Sequence, residues 1–327
     1  MDAKAVVFTA PNTVEVGTVR CPDPGPGDVV VRVRQSWVSN GTESSYLRGE
    51  RTAGDTPFLP GDPAPFPVVA GYQKVGTVEA VGAEVDDLET GETVFATVGR
   101  VEGMHHDYGG HVSPSVCARR EVFRLPPDPE PLAFAGLVLA QVGHNAGTRP
   151  PVAPGDAAVV VGDGLVGQWT AQTLRQRGAR VVLVGRHADR LAHWPDTVNE
   201  REEDWVEAVR RRFPEGVHVG VDTVGSLAVV DGLRRAARRF GHLVSAGFYG
   251  TDDRLALQPP RYKELSIHLV SGWTRGRLEA TLAAVASGAL RTLPLITHHV
   301  PVDRAAEAWA LIESKREPVL GVILDWR

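Results

Sequence analysis

Short runs of alternating apolar and polar residues, separated by glycine and proline turns, fill the first third of the chain. In Val29–Arg34, valines and arginines alternate with the period of two that is typical of a strand with one buried face. Many short strands of this kind predict a small β-barrel-like domain. A polar loop rich in glycine and proline is expected from Glu43 to about Pro67. The predicted strands are Ala5–Phe8, Val14–Val19, Val29–Arg34, Val75–Val81 and Thr93–Val98.

The pattern changes after a helix predicted around Leu132–Ala146, because apolar strands then alternate with helical stretches. Such alternation implies a doubly wound parallel sheet. Beyond Gly288 the pattern changes once more, to a short return with one helix between two strands. The predicted strands are Ala157–Val161, Val181–Val184, Val217–Val221, Leu243–Ala246, Ile267–Val270, Leu295–Val300 and Gly321–Leu324. The later predicted helices are Glu202–Arg212, Leu227–Arg239, Arg277–Ser287 and Ala305–Lys315.

One glycine turn follows the first strand of the alternating part and leads directly into a helix. Gly162, Gly164 and Gly167 have the G-x-G-x-x-G spacing, which in this strand–turn–helix context is typical of dinucleotide binding. The first glycine permits a tight turn, the second lets a pyrophosphate approach, and the third allows close packing of helix and strand. A glycine-rich turn in another kind of α/β unit is the alternative. The predicted cofactor-binding residues are Gly162, Gly164, Leu165, Val166 and Gly167.

Composition narrows the class of protein without naming a function. A chain of 327 residues suggests about two domains, and 43% hydrophobic with 23% charged residues is ordinary for a globular protein. A net charge of −5 gives no electrostatic reason to expect nucleic acid or an anionic membrane as partner. We expect no signal peptide and no transmembrane helix. Cys21 and Cys117 form no disulfide framework, so we expect a protein of the reducing cytoplasm, that is, a cytoplasmic protein.

The chain resembles the medium-chain dehydrogenase/reductase superfamily in four segments that follow one another in that family's order. The segments are Pro24–Ser44, Phe66–Gly82, Gly109-Gly110 and residues 269–324. The resemblance implies an α/β protein with a GroES-like β-barrel catalytic domain and a Rossmann domain containing a doubly wound parallel sheet. On this view residues 1–148 and 293–327 form the first domain, and residues 149–292 form the second. Gly41-Thr42-Glu43 and Gly247-Phe248-Tyr249 look most like the zinc-lacking branch that includes bacteriochlorophyllide dehydrogenase.

This chain differs from the family at the residues that bind zinc in zinc-dependent members. Where zinc-dependent members carry C-G-T-D, this chain has Asn40-Gly41-Thr42-Glu43, and Tyr72-Gln73 replaces the histidine and glutamate of G-H-E. The third ligand would fall near Ala140-Gln141, where no cysteine occurs, and the four cysteines of the structural zinc lobe are also missing. Thiolate and imidazole are the ligands that hold zinc tetrahedrally. We therefore expect no metal and no zinc.

The resemblance places Tyr72 where it should face the nicotinamide, and its phenol could donate a hydrogen bond to a substrate oxygen. Thr42 could relay a proton, while Asn40 and Gln73 could offer amide donors to a developing alkoxide. Each residue also has a structural alternative. Tyr72 could be a packing tyrosine, Thr42 could satisfy a turn, and the two amides could fill the volume of a lost metal. Glu43 is expected to pair with an arginine.

The residues after the second Rossmann strand favour NADP, although NAD stays possible. NAD-binding relatives carry an acidic residue there, whereas this chain has Gly185-Arg186-His187 and then Arg190. A guanidinium suits a phosphate, because it can donate two parallel hydrogen bonds. A solvated basic turn is the alternative. The resemblance adds Thr223 and Val224 on the adenine side and Gly247 and Phe248 beside the nicotinamide amide.

These residues together predict a zinc-independent NAD(P)H-dependent oxidoreductase. It would transfer hydride between nicotinamide and a small organic substrate, most simply between an alcohol and a ketone. Reduction of an activated C=C or C=N bond is one alternative. A non-catalytic NADPH-binding sensor or structural protein is another. The apolar strand Ile267–Val270 suggests a homodimer, because an unpaired apolar edge strand would be an aggregation hazard.

Overall fold

The computed structural model describes residues 1–250, 254–314 and 316–326, and the chain folds into two compact units. The first unit contains Met1–Val138 with Thr274–Arg327, and the second contains Leu139–Trp273. Both crossings between the units fall earlier in the chain than the domain boundaries expected at residues 148 and 292. Those boundaries stay a prediction.

The first part of the chain is built mainly of short strands, as the alternating pattern predicted. Its elements are β1 Asp2–Ala10, β2 Thr13–Arg20, β3 Asp28–Val38, α1 Asn40–Leu47, β4 Arg51–Ala53, β5 Thr56–Pro57, β6 Val68–Val69, β7 Lys74–Val81, β8 Thr93–Ala96, β9 Gly99–Arg100, β10 Tyr108–Gly109, β11 Val112–Ser113, β12 Ser115–Ala118 and β13 Val122–Arg124.

The middle of the chain alternates strands and helices. Its elements are α2 Leu137–Thr148, β14 Ala157–Val161, α3 Leu165–Gln176, β15 Arg180–Gly185, α4 Ala188–Leu191, β16 Thr197–Asn199, α5 Trp205–Arg212, β17 Val217–Asp222, α6 Leu227–Ala236, β18 Ala237–Ser245, α7 Gln258–Arg261 and β19 Ser266–Leu269. The C-terminal part adds α8 Arg275–Ala286, β20 Ile296–Pro301, α9 Ala305–Ser314 and β21 Gly321–Asp325.

The C-terminal return completes the larger sheet of the first unit. Strands follow one another in the order β13-β8-β7-β3-β21-β20, and β12 also pairs with β3. The pairing of β21 with β3 sets Val322 opposite Val38 and Leu324 opposite Ser36. A smaller sheet forms from β11, β1 and β2, with β6 paired to β1. The small β-domain predicted from the alternating pattern is confirmed in this unit.

The second unit contains the parallel sheet, in the order β16-β15-β14-β17-β18-β19. Its central strand β14, Ala-Ala-Val-Val-Val, is buried along its whole length, because helices cover both faces of such a sheet. Helix α2 lies close to α3 through glycine: a Cβ at Gly143 would stand 2.7 Å from the Cβ of Trp169. The predicted doubly wound fold is confirmed. Among the described residues, no helix combines the length and apolar character needed to cross a membrane.

Two expected elements are wrong in their extent. The predicted helix Leu227–Arg239 ends at Ala236, and the next strand runs from Ala237 rather than Leu243. Ala237 pairs with Val217, and the ladder then shifts register around Phe240, which has a φ of 59°. The strand therefore uses arginine-rich residues that resemble the end of an amphipathic helix.

The segment after Glu43 is also more ordered than the polar loop that we expected. Helix α1 continues to Leu47, and β4 and β5 form a small antiparallel pair before Pro67. Leu47 is buried in the apolar core that includes Trp309. This packing stabilises a helix whose sequence has no amphipathic pattern strong enough to predict it.

Candidate functional site

Each glycine of the predicted dinucleotide turn has a distinct environment. Gly162 has a φ of 119°, and a Cβ there would collide with the hydroxyl of Thr223. A Cβ at Gly167 would collide with the carbonyl oxygen of Gly162, so only glycine permits this closeness of helix and strand. Gly164, the residue before α3, has open space where its Cβ would be. Leu165 and Val166 are the first residues of α3, whose unpaired N–H groups suit an anion.

Asp163, between the first two glycines, is a site residue that the sequence reasoning missed. Its carboxylate is buried and accepts hydrogen bonds from the backbone N–H groups of Arg186 and His187, at 2.7 and 2.8 Å. The His187 ring lies 3.0 Å from the same carboxylate, and Arg190 lies 3.5 Å from it. A Cβ at Gly185 would press on the Asp163 side chain at 2.5 Å from Oδ2. Asp163 therefore fixes the loop that follows β15.

The basic residues predicted to bind phosphate are thus already paired. Arg186 donates from Nε to the Glu200 carboxylate, and its side chain is mostly exposed. Arg190 contacts Asp163, and its backbone oxygen accepts a hydrogen bond of 2.8 Å from Gln168. The sequence reasoning did not anticipate Glu200, because only the pairing of β15 with β16 brings the residue after β16 beside Arg186. Its carboxylate competes for the guanidinium that was predicted to select NADP.

A second buried carboxylate, Asp222, organises the adenine-side loop. It accepts from the N–H groups of Val224 and Gly225 at 2.8 and 3.2 Å, and also from the hydroxyl of Tyr249. Thr223 donates its hydroxyl to the Val161 carbonyl at 2.9 Å, which joins the ends of β14 and β17.

Gly247 and Phe248 follow β18 at the same edge of the sheet. A Cβ at Gly247 would collide with the backbone of Gly225, so these two turns touch through glycine. The structure therefore brings the predicted residues of the second unit together at the carboxyl ends of the parallel strands, the edge where such sheets bind ligands.

In the first unit, Tyr72 lies beside the start of α1. Its partly buried side chain forms hydrogen bonds with the side chains of Ser39 and Thr42. Removal from water raises the pKa of the Tyr72 phenol, and the Glu43 carboxylate raises this pKa further. The two hydrogen bonds and the Arg51 charge act in the opposite direction but do not cancel the rise. Tyr72 is therefore held as a neutral phenol, able to donate.

The two predicted amides have backbone partners. Asn40 donates from Nδ2 to the Leu320 carbonyl at 2.7 Å, and its buried Oδ1 has no hydrogen-bond partner among the described residues. Gln73 is fully buried, donates to the Trp37 carbonyl at 3.2 Å and accepts from the Val138 N–H at 3.1 Å. Gln73 thus links β3 to the start of α2. The roles of both residues as donors to substrate stay predictions.

His111 is a second residue that the sequence reasoning missed, although it follows the double glycine Gly109-Gly110. Its ring is fully buried, with Nε2 3.0 Å from Glu43 Oε2 and Nδ1 2.8 Å from Ser36 Oγ. Glu43 also accepts from the Ser39 N–H at 2.8 Å. The expectation that Glu43 pairs with an arginine is wrong. Its partner is the imidazole of His111, which lies between β10 and β11. Only the fold brings these residues together.

Known protein families match segments in both units of the chain. The family described as alcohol dehydrogenase GroES-like domain matches residues 25–127, and the family described as zinc-binding dehydrogenase matches residues 166–287. The 2-desacetyl-2-hydroxyethyl bacteriochlorophyllide A dehydrogenase of Rhodobacter capsulatus is 30% identical over 332 residues, which cover 100% of this chain and 99% of that protein. The chain belongs to the medium-chain dehydrogenase/reductase superfamily. Within it, the chain falls in the branch that includes these bacteriochlorophyllide dehydrogenases.

Solved structures show the same fold in this superfamily. A zinc-binding dehydrogenase from Sinorhizobium meliloti, bound to NADP, is 22% identical with a TM-score of 0.85 and covers 99% of both chains. An alcohol dehydrogenase from Escherichia coli CFT073, complexed with NADH, is 20% identical with a TM-score of 0.85 and the same coverage.

The donor atoms of this medium-chain dehydrogenase/reductase do not fit the family's zinc. Asn40, Tyr72 and Gln73 provide amides and a neutral phenol in place of thiolate and imidazole. The nearby imidazole of His111 and carboxylate of Glu43 are bonded to each other in the core. Within residues 1–250, 254–314 and 316–326, no three His, Cys, Asp or Glu side chains form a group suited to a metal ion.

The glycine turn generates a prediction that separates folding from binding. Gly164→Ala should keep the parent's stability, because its Cβ meets open space and its φ of −76° suits alanine. It should nevertheless weaken dinucleotide binding, since the methyl group would occupy the room left for a pyrophosphate. Gly167→Ala should instead lower the unfolding free energy, because the backbone must move. Chemical denaturation and NADPH fluorescence titration measure the two effects. Unweakened binding by Gly164→Ala would contradict the assignment of this turn.

Proposed function

We propose that this protein is a zinc-independent, NADP(H)-preferring oxidoreductase that interconverts an alcohol and a ketone of a small organic substrate. The observation that carries the proposal is the neutral phenol of Tyr72, hydrogen-bonded to Thr42 and Ser39 where zinc-dependent relatives have a metal site. The relative from Rhodobacter capsulatus is named for a hydroxyethyl compound. Dehydrogenation of a hydroxyethyl group gives an acetyl group, which supports an alcohol–ketone pair.

The residues of the second unit fit a nicotinamide dinucleotide. The turn from Gly162 to Gly167 and the N-terminus of α3 would hold the pyrophosphate. The loop fixed by Asp163 would hold the ribose, and Thr223 and Val224 would border the adenine. Gly247 and Phe248 would meet the nicotinamide amide. When bound, this cofactor supplies or accepts a hydride at the nicotinamide ring.

The residues of the first unit would handle the proton and orient the substrate. The Tyr72 Oη would donate its proton to the oxygen of a ketone, and Thr42 would receive or return a proton through its hydrogen bond to the phenol. In alcohol oxidation the same proton moves in the reverse direction. The unpartnered Oδ1 of Asn40 could accept a hydrogen bond from a substrate hydroxyl.

The preference for NADP is proposed from Arg186 with Arg190. A 2′-phosphate would have to draw Arg186 away from Glu200, so the preference should be smaller than a free guanidinium would give. NADPH should still bind more tightly than NADH. Arg186→Ala should remove most of this difference, because a charged hydrogen bond is worth about 1.5–3 kcal/mol. Glu200→Gln should tighten NADPH binding and leave NADH binding unchanged.

Dissociation constants from calorimetry measure these changes, with the exposed Arg201→Ala as a matched control. Equal affinity of the parent for both cofactors would refute the NADP assignment.

Tyr72→Phe tests the proposed chemistry directly. A positioned acid contributes about 10²–10⁴-fold, so turnover of a secondary alcohol identified by screening with NADP⁺ should fall by about that factor. NADPH affinity should barely change. Thr42→Val tests whether the relay is shared, and the exposed Tyr262→Phe is the control. Near-parental turnover in Tyr72→Phe would make Tyr72 a packing residue and favour C=C or C=N reduction.

We also propose a homodimer formed through β19. This strand is the outer strand of the parallel sheet, and no described residue pairs with its free edge. Leu269 on it is 76% exposed. Light scattering at micromolar concentration should give twice the mass of one chain. Leu269→Lys should give the monomer, because a charge blocks edge pairing, while Leu257→Lys, at a leucine that is 69% exposed, should not. A monomeric parent would contradict the proposal.

A further inference from the structure

A hydrogen-bond chain crosses the core of the first unit and ends at Glu43. Trp326 donates from Nε1 to Ser36 Oγ at 2.8 Å. The hydroxyl hydrogen of Ser36 is then available to His111 Nδ1, also at 2.8 Å. Because the Glu43 carboxylate can only accept, we assign the ring hydrogen to Nε2, which faces Glu43 Oε2 at 3.0 Å. Every donor in the chain therefore points toward the carboxylate, and hydrogen bonds aligned in this way strengthen one another.

Glu43 connects this chain to the turn beside Tyr72. Its second oxygen accepts from the Ser39 N–H at 2.8 Å, which fixes the residue that precedes α1. The side chains of Ser39 and Thr42 in this turn both bond the Tyr72 phenol. The position of the phenol's two partners thus depends on where the Glu43 carboxylate lies.

His111 packs against the backbone next to Tyr72, at Gly71. Gly71, the residue before Tyr72, has a φ of 82°, and a Cβ there would lie 2.6 Å from the His111 ring. The ring therefore packs directly on the peptide that carries Tyr72. Trp309 covers the ring edge at a centroid distance of 5.9 Å. The His111 imidazole thus packs against Gly71, the residue before Tyr72, and also contacts the Glu43 carboxylate, which orders the hydroxyl partners of Tyr72.

We propose that Glu43 and His111 are positioning residues for Tyr72. His111 sets the backbone at Gly71, and Glu43 sets the turn whose Ser39 and Thr42 hydroxyls bond the phenol. The role of Tyr72 toward substrate rests on the proposed function. The positioning of Tyr72 by Glu43 and His111 does not, because it can be measured without catalysis. A purely structural pair would stabilise the fold without changing the protonation of Tyr72.

The sign of the effect follows from the charges that face the phenol. These are the Glu43 carboxylate and the Arg51 guanidinium, while Ser39 and Thr42 contribute neutral hydroxyls. The carboxylate disfavours a tyrosinate, so it raises the pKa of Tyr72, and Arg51 lowers it. Glu43→Gln keeps the shape and removes the charge. It should therefore lower the pKa of Tyr72.

Fluorine NMR can measure this without substrate. The full-length protein is produced with 3-fluorotyrosine, which titrates at lower pH than tyrosine, and Tyr72→Phe identifies the Tyr72 signal among the five tyrosines. The titration midpoint is compared in the parent, Glu43→Gln and His111→Gln. Glu50→Gln is the matched control, because this exposed carboxylate follows α1 and pairs with Arg48.

We expect Glu43→Gln to shift the Tyr72 midpoint to lower pH and His111→Gln to move or broaden the Tyr72 signal, with no change in Glu50→Gln. If Glu43→Gln does not fold, the His111→Gln signal decides. An unchanged Tyr72 signal and midpoint in the folded variants overturns the proposal. Because the NMR titration needs no turnover, its outcome is independent of the activity of Tyr72→Phe. Normal turnover in Tyr72→Phe would refute the proposed function but not the positioning.

Discussion

A buried carboxylate is costly unless donors surround it, and three of them organise the loops of this protein. Glu43, Asp163 and Asp222 are only 2%, 6% and 0% exposed, and each accepts hydrogen bonds from backbone N–H groups of a loop. Glu43 orders the turn before α1, Asp163 the loop after β15, and Asp222 the turn after β17. Each loop carries, or directly precedes, residues predicted to bind cofactor or substrate. The requirement to satisfy these carboxylates thus holds the functional loops in one conformation.

The same constraint underlies the zinc independence that we propose. A zinc ion fixes its surroundings by drawing several ligands to one point. In this chain the Glu43–His111 pair and its donors fix the corresponding turn from the protein core, and Tyr72 contributes a neutral donor. The proposed proton donor is therefore ordered by hydrogen bonds alone.

Local patterns in the sequence predicted what depends on local structure. The glycine turn from Gly162 to Gly167, the buried strand β14 and the parallel sheet follow from spacing and periodicity, and the structure has them. The predicted end of α6 was wrong, because the strand pairing of Ala237 with Val217 outweighed the helical pattern of the sequence.

The partners of the site residues could not be predicted, because they are distant in sequence. His111 meets Glu43 only once β3 and its neighbours have assembled, and Glu200 meets Arg186 only because β15 pairs with β16. A lone histidine after two glycines and an aspartate between two glycines carry no periodic signal. Asp163 could have been suspected from its place inside the motif, since a carboxylate there would repel a phosphate unless the protein neutralises it.

The central claim is that this member of the superfamily works without zinc, and elemental analysis of the purified protein tests it most directly. The account predicts far less than one zinc per chain, with turnover unaffected by prolonged chelation and by added zinc. One zinc per chain, removed by a chelator together with activity and restored by re-addition, would contradict the account.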